Sequence, residues 1–208
     1  MSPPNDQVTD ARSRLKAHFT GADLSAHPSK WDDLWKEGFV PWDKGFPSPA
    51  LVDLLSERGD LFPAKQGRKK ALVPGCGKGY DVLLLSSWGY DAYGLDVSEK
   101  ALEGARQTQK EAEDGDIYKT KEGLQKGSVT WLSGDFFKNE FLKDVEGEPS
   151  FDFIYDYTVC FLYPSMQNSN IHAVFVRTPT IDAARVVKAL CRASCSRRSG
   201  CVPRVPYV

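Results

Sequence analysis

Three glycines in alternate positions, Gly75, Gly77 and Gly79, follow the short apolar run Ala71-Leu72-Val73-Pro74. An aspartate, Asp96, closes the next apolar run, Ala92–Leu95, seventeen residues after Gly79. Glycines let a backbone turn approach a ligand where a Cβ would collide, and an acidic side chain at the end of the following strand can take ribose hydroxyls. The chemistry available to this spacing is the holding of a nucleotide.

The kind of nucleotide is narrowed by what the spacing lacks. A dinucleotide site uses G-x-G-x-x-G, whereas the chain has G-x-G-x-G. A P-loop needs Gly-Lys followed by Ser or Thr, and Lys78 is followed by Gly79. The form P-G-C-G-x-G-x-D resembles motif I of class I S-adenosylmethionine (SAM) methyltransferases. Cys76 is read as a small loop residue, since no His is placed to activate it as a nucleophile.

These residues must be positioned by alternating strands and helices. A helical pattern over Asp81–Gly89 joins the two apolar runs. Ser98 reads as an N-cap with Glu99 in the first turn, and Ala101, Leu102 and Ala105 mark the buried side of the helix that follows. Val129–Leu132 and Phe151–Tyr157 read as third and fourth strands. Upstream, Ser48 and Pro49 start a helix with Leu51, Leu54 and Leu55 on its apolar face, running to Gly59. A short helix is expected around Arg12–His18, an exposed basic lead at Lys65–Lys70, and an acidic, mobile insert at 138–149. Alternation of this kind predicts an α/β fold with a doubly wound parallel sheet, whose ligands bind at the carboxyl ends of the strands.

Composition bounds the function. The chain has 208 residues, 41% of them hydrophobic, with 27 basic and 28 acidic side chains. Neither nucleic acid nor a membrane is an expected partner, because no net field favours them and no apolar run approaches the roughly 18 residues of a span. Five Cys and three scattered His suit a reduced, cytoplasmic protein without a structural metal. The charge balance is uneven along the chain: residues 166–208 hold seven Lys/Arg and one acidic residue, Asp182.

Several longer motifs carry a specific resemblance. They are W-x-x-x-W-x-x-G-x-x-P-W-D-x-G-x-P-x-P at 31–49, V-P-G-C-G-x-G-x-D at 73–81, G-L-D-V-S at 94–98, G-D-F-F at 134–137 and F-D-x-I-Y-D-Y at 151–157. Together they resemble the thiopurine methyltransferase-like family, which includes thiol and halide methyltransferases. The resemblance implies the Rossmann-like fold of class I SAM methyltransferases, with SAM as cofactor and methyl transfer to a small thiol, thiocyanate or halide. It places Gly75 against the amino-acid part of SAM, Asp96 on the ribose, and Asp135 and Phe136 at the adenine. Trp31, Trp35 and Trp42 would fold over the cofactor, and Tyr157 would face the transfer centre. Aromatic faces attract a sulfonium cation and exclude water, and a thiolate or halide needs no general base, so no catalytic proton acceptor is assigned. Phe137 is read as core, and Asp156 as substrate ligand or turn former alike. Trp31 and Trp35, one helical turn apart, also have the spacing of a helix packed on a core.

The resemblance covers about residues 30–166. Family members continue into a fifth strand of the form C-L-E-F-P and two more strands, whereas this chain ends in a run of Arg, Ser and Cys. Back-translation of Arg185–Val208 with a one-base shift permits that missing pattern, so the segment is expected to come from a shifted reading frame. Cys191, Cys195 and Cys201 are then no zinc site. The expected organisation is a polar segment at 1–28, an incomplete SAM-binding domain at 29–166 that lacks its last strands, and a non-family tail at 167–208. A monomer acting on a small-molecule nucleophile is expected, with an inactive fragment that at most binds SAM as the alternative.

Overall fold

The computed structural model describes residues 4–57, 69–112 and 116–156, with side chains from Asp10 onward. Tyr157, Gly59 and the segment 167–208 with its three cysteines lie outside the described residues.

Four parallel strands form one sheet in the order β3-β2-β1-β4, with β1 at Lys69–Pro74, β2 at Tyr90–Asp96, β3 at Val129–Ser133 and β4 at Phe153–Ile154. The two inner strands are covered on both faces, and so read as unbroken apolar runs: Ala71, Leu72, Ala92 and Leu95 are all at most 1% exposed. Helix α4, Tyr80–Ser87, connects β1 to β2, and its Val82–Leu85 stretch is buried all round. Helix α5, Glu99–Glu111, connects β2 to β3 and is amphipathic. Ala101, Leu102 and Ala105 are fully buried, and the Ser98 hydroxyl accepts from the Ala101 N–H as the N-cap. After β3 the chain crosses to the far side of β1. The order reverses between β1 and β4, and that is where a doubly wound sheet opens a crevice beyond its carboxyl ends. This is the α/β, Rossmann-like fold of class I methyltransferases.

Three helices precede the sheet: α1 at Pro4–Phe19, α2 at His27–Lys36 and α3 at Pro49–Glu57. Helix α1 is longer than the short helix expected around Arg12–His18. It is tied to α2 by His18 Nε2 against the Lys30 carbonyl at 2.9 Å and by the Arg14–Glu37 ion pair. The acidic stretch at 138–149 is not loose. It forms a 3₁₀ turn over Asn139–Asp144 that buries Phe141 to 2% exposure and leads into buried Val145. Of the expected basic lead at Lys65–Lys70, residues 65–68 lie outside the described residues, while Lys69 and Lys70 are part of β1 and the Lys70 ammonium donates to the carbonyls of Glu146 and Glu148. The fourth strand is shorter than expected, although Tyr155 N–H still donates to the Leu72 carbonyl beyond its end. Among the described residues no helix is long and apolar enough to cross a membrane.

Candidate active site

A cleft of about 640 Å³ opens beyond the carboxyl ends of β1, β2 and β3, within the usual range for a small-molecule site. Its floor is the glycine turn. Gly75, Gly77 and Gly79 all have positive φ, of 59°, 53° and 77°. The turn is stitched to the end of β2: Cys76 N–H donates to the Leu95 carbonyl at 3.1 Å, and Gly77 N–H donates to Asp96 Oδ2 at 2.9 Å. Gly79 is required twice over. Its φ disfavours any Cβ, and a Cβ there would stand 2.3 Å from Trp131 Cη2. The Trp131 indole is fixed in turn by its Nε1–H donating to Gln109 Oε1 at 2.8 Å.

Four carboxylates line the cleft: Asp43, Asp81, Asp96 and Asp135. Asp96 is 6% exposed, with Oδ2 on Gly77 N–H and Oδ1 on Ser98 N–H at 3.0 Å. Burial pushes its pKa up, against the pull of the Ser98, Gly77 and Val97 amides. Asp135 Oδ1 accepts from Phe137 N–H at 3.0 Å. Asp43 pairs with Lys78 Nζ at 2.6 Å, and also accepts from Gly45 N–H. Burial opposes its ionisation, but Lys78 and the Gly45 amide outweigh burial and hold it below the ordinary carboxylate range. Asp81, in the first turn of α4, accepts from Ser48 N–H at 2.7 Å; burial lifts its pKa to about 6. Ser48 also receives the Tyr155 hydroxyl on its Oγ at 2.7 Å, so its side chain serves β4 while its carbonyl begins α3.

An aromatic lid covers the floor. Trp35 lies across the glycine turn, so that a Cβ on Gly77 would stand 3.3 Å from its ring. Trp42 meets Trp31 edge-on at 5.0 Å and Trp35 at 6.0 Å, and Phe19 of α1 packs on Trp31 at 4.8 Å. The lid is docked by Asp32, which accepts from Ser98 Oγ at 2.7 Å and pairs with Lys36 at 2.5 Å. Its pKa is lowered chiefly by the Lys36 hydrogen bond. Ser98 thus caps α5 and anchors α2 with one hydroxyl.

Seven of the eight residues expected from sequence line this one cleft: Trp31, Trp35, Trp42, Gly75, Asp96, Asp135 and Phe136. The eighth, Tyr157, lies outside the described residues. Phe137 was expected in the core, yet it lines the cleft and is less buried than Phe136, which stacks on Phe141. Cys76 is part of the cleft wall, with its pKa pushed well above the ordinary thiol value by burial and by Asp96; this keeps it a thiol, in line with its reading as a loop residue. Asp43, Lys78 and Asp81 were not assigned roles from sequence. The quoted motifs contain all three, but their pairings span 33 and 35 positions of chain and leave no local signal.

The floor of the cleft is a backbone cradle with positive φ, its polar residues include Asp96 at the end of β2, and its roof is three indoles. The Trp31 Nε1–H is buried without a hydrogen-bond partner among the described residues, a cost a ligand acceptor would remove. These features suit a ligand with a ribose and a cation.

A parallel α/β sheet with a glycine turn, a carboxylate at the end of β2 and an indole lid defines the class I methyltransferase type. The family model for thiopurine S-methyltransferase matches residues 26–180, and the chain belongs to that family, whose members depend on SAM. It is 37% identical over 141 residues to thiocyanate methyltransferase 1 of Brassica oleracea, covering 66% of this chain and 51% of that protein. It is 38% identical over 128 residues to probable thiol methyltransferase 2 of Arabidopsis thaliana, covering 62% and 46%. The chain thus spans about half the length of the curated relatives it matches. A solved structure from work on converting a disulfide bond into a thioacetal group during echinomycin biosynthesis matches at a TM-score of 0.49 and 22% identity, covering 81% of this chain and 55% of that one.

Proposed function

We propose that the chain binds SAM in the lidded cleft and transfers its methyl group to a small thiol, thiocyanate or halide. The observation that carries this reading is the closure of three indoles over a glycine turn whose amide is held by Asp96. SAM supplies an electrophilic methyl carbon on a sulfonium. The protein's part is to orient and desolvate. The turn cradles the amino-acid end, and Asp96 accepts from the ribose with lone pairs beyond those its amide bonds use. Asp135 and Phe136 flank the adenine. Trp31, Trp35 and Trp42 present faces to the positive charge and keep water from an anionic nucleophile, which reacts faster when stripped of hydration. Tyr157 stands by the transfer centre in this reading. The binding unit is residues 29–166, acting as a monomer in the cytoplasm.

Incubation of the full chain with methyl-labelled SAM and thiophenol, thiocyanate or iodide tests the proposal. Labelled methyl product from at least one acceptor, abolished by Asp96→Ala, is expected. Binding of S-adenosylhomocysteine with no product from any acceptor would instead support a chain that holds the cofactor without turnover.

A further inference from the structure

Of the four carboxylates in the cleft, two have their charge answered by a cation or by an amide on each oxygen, and two hold a single amide. Asp43 faces the Lys78 ammonium, Asp96 has an amide on each oxygen, and Asp135 is turned onto the Phe137 amide. Asp81 is the second carboxylate with a single amide: among the described residues its one hydrogen bond is from the Ser48 amide to Oδ1, and it forms no ion pair with any Lys or Arg. Its place at the glycine turn sets it apart from Asp135. It stands two residues past Gly79, on the same wall as Gly75 and Cys76, and burial outweighs the Ser48 amide in opposing its ionisation. A desolvated carboxylate without a cation is costly in an empty cleft and strongly attractive to a cation that enters it.

We propose that Asp81 is the residue that receives the α-ammonium of the cofactor's amino-acid end. The inference rests on the SAM reading above and adds a binding residue to it. Other groups face Asp81 or share its wall. The Cys76 thiol and the Tyr118 phenol feel its field and are neutral in the working range, Tyr80 neighbours it in α4, and the Asp43–Lys78 pair stays ionised. The imidazole of His27 also lines the cleft.

The test is the affinity of the full chain for S-adenosylhomocysteine, which carries the ammonium, and for methylthioadenosine, which lacks the whole amino-acid end. Both are measured between about pH 5 and pH 7.5, where an ordinary carboxylate no longer titrates. Ionised Asp81 favours the ammonium, so S-adenosylhomocysteine is expected to bind about tenfold more tightly at the upper pH, with the step near the Asp81 pKa. Methylthioadenosine keeps the ribose that meets Asp96, so it reports any titration the two ligands share and is expected to lack the Asp81 step. Asp81→Asn is expected to weaken S-adenosylhomocysteine about tenfold at the upper pH, to remove its pH step, and to leave methylthioadenosine unchanged. Equal weakening of both ligands would overturn the proposal and make Asp81 a support for Ser48. A step that survives in Asp81→Asn would assign the titration to another group and also overturn it. Failure of both ligands to bind the unaltered chain would contradict the cofactor reading itself, a separate result.

Discussion

The floor and the lid of the cleft are held by different forces. The floor is a matter of backbone and packing: left-handed glycines, buried apolar strands and an indole filling the space above Gly79 and Gly94. The lid is a matter of ties. It reaches the floor through Asp32–Ser98, Asp43–Lys78 and the Ser48–Asp81 bond, with indole edges between them. Damage to the floor should therefore unfold the protein, whereas damage to the lid should spare the sheet and change what the cleft holds.

The largest effect is expected on the floor. Gly79→Val places a branched side chain in a left-handed turn already filled by Trp131, and should cost about 4 kcal/mol, most of a marginal domain's stability, read as a large fall in melting temperature by circular dichroism. Trp42→Ala removes two edge-on contacts from the half-buried lid. It should weaken SAM about tenfold, and SAM more than S-adenosylhomocysteine, because only SAM brings the sulfonium. A titration with equal losses for the two ligands would show that Trp42 only fills space. Lys78→Met leaves Asp43 without its cation, so the Asp43 carboxyl should rise from its lowered pKa and SAM affinity should fall about threefold, read by calorimetry. The smallest effect is on Asp32→Ala, about 1 kcal/mol or roughly 3 °C in melting temperature, since one hydrogen bond and one pair whose Lys36 end is exposed are lost.

Asp81 gives the comparison a pH axis. Its folded pKa, about 6, lies above the ordinary carboxylate value of 3.8, so the fold holds this proton more tightly than the unfolded chain does. That contribution is fully present below the unfolded pKa and is lost as pH rises through about 6. Without ligand, Asp81→Asn should therefore melt higher than the unaltered chain at about pH 7.5, and the gap should close as pH falls below the folded pKa. A variant that melts lower at every pH would show that the charge is needed by the fold.

The floor was legible in the sequence because its signals are local. The alternate glycines, Asp96 at the end of β2, and Ser98 with Ala101, Leu102 and Ala105 each depend on neighbours a few positions away. The tryptophan spacing identified the lid but left its ties hidden. Asp43–Lys78 and Ser48–Asp81 join elements that meet only once the sheet has formed, and Tyr155 reaches Ser48 across 107 positions. Phe141 was masked by the charges around it, and only the 3₁₀ turn shows which side of that segment faces inward. Phe137 was misjudged because adjacent phenylalanines after β3 both reach the cleft, Phe136 from a buried position stacked on Phe141 and Phe137 from a half-buried one.

Whether the lidded cleft holds SAM is read from a thermal melt of the purified full chain with and without S-adenosylhomocysteine. A cooperative transition that moves upward with ligand concentration, by mass action on the folded state, is expected together with a saturable change in tryptophan fluorescence from the lid. A cooperative melt indifferent to the ligand would contradict a SAM site in the cleft.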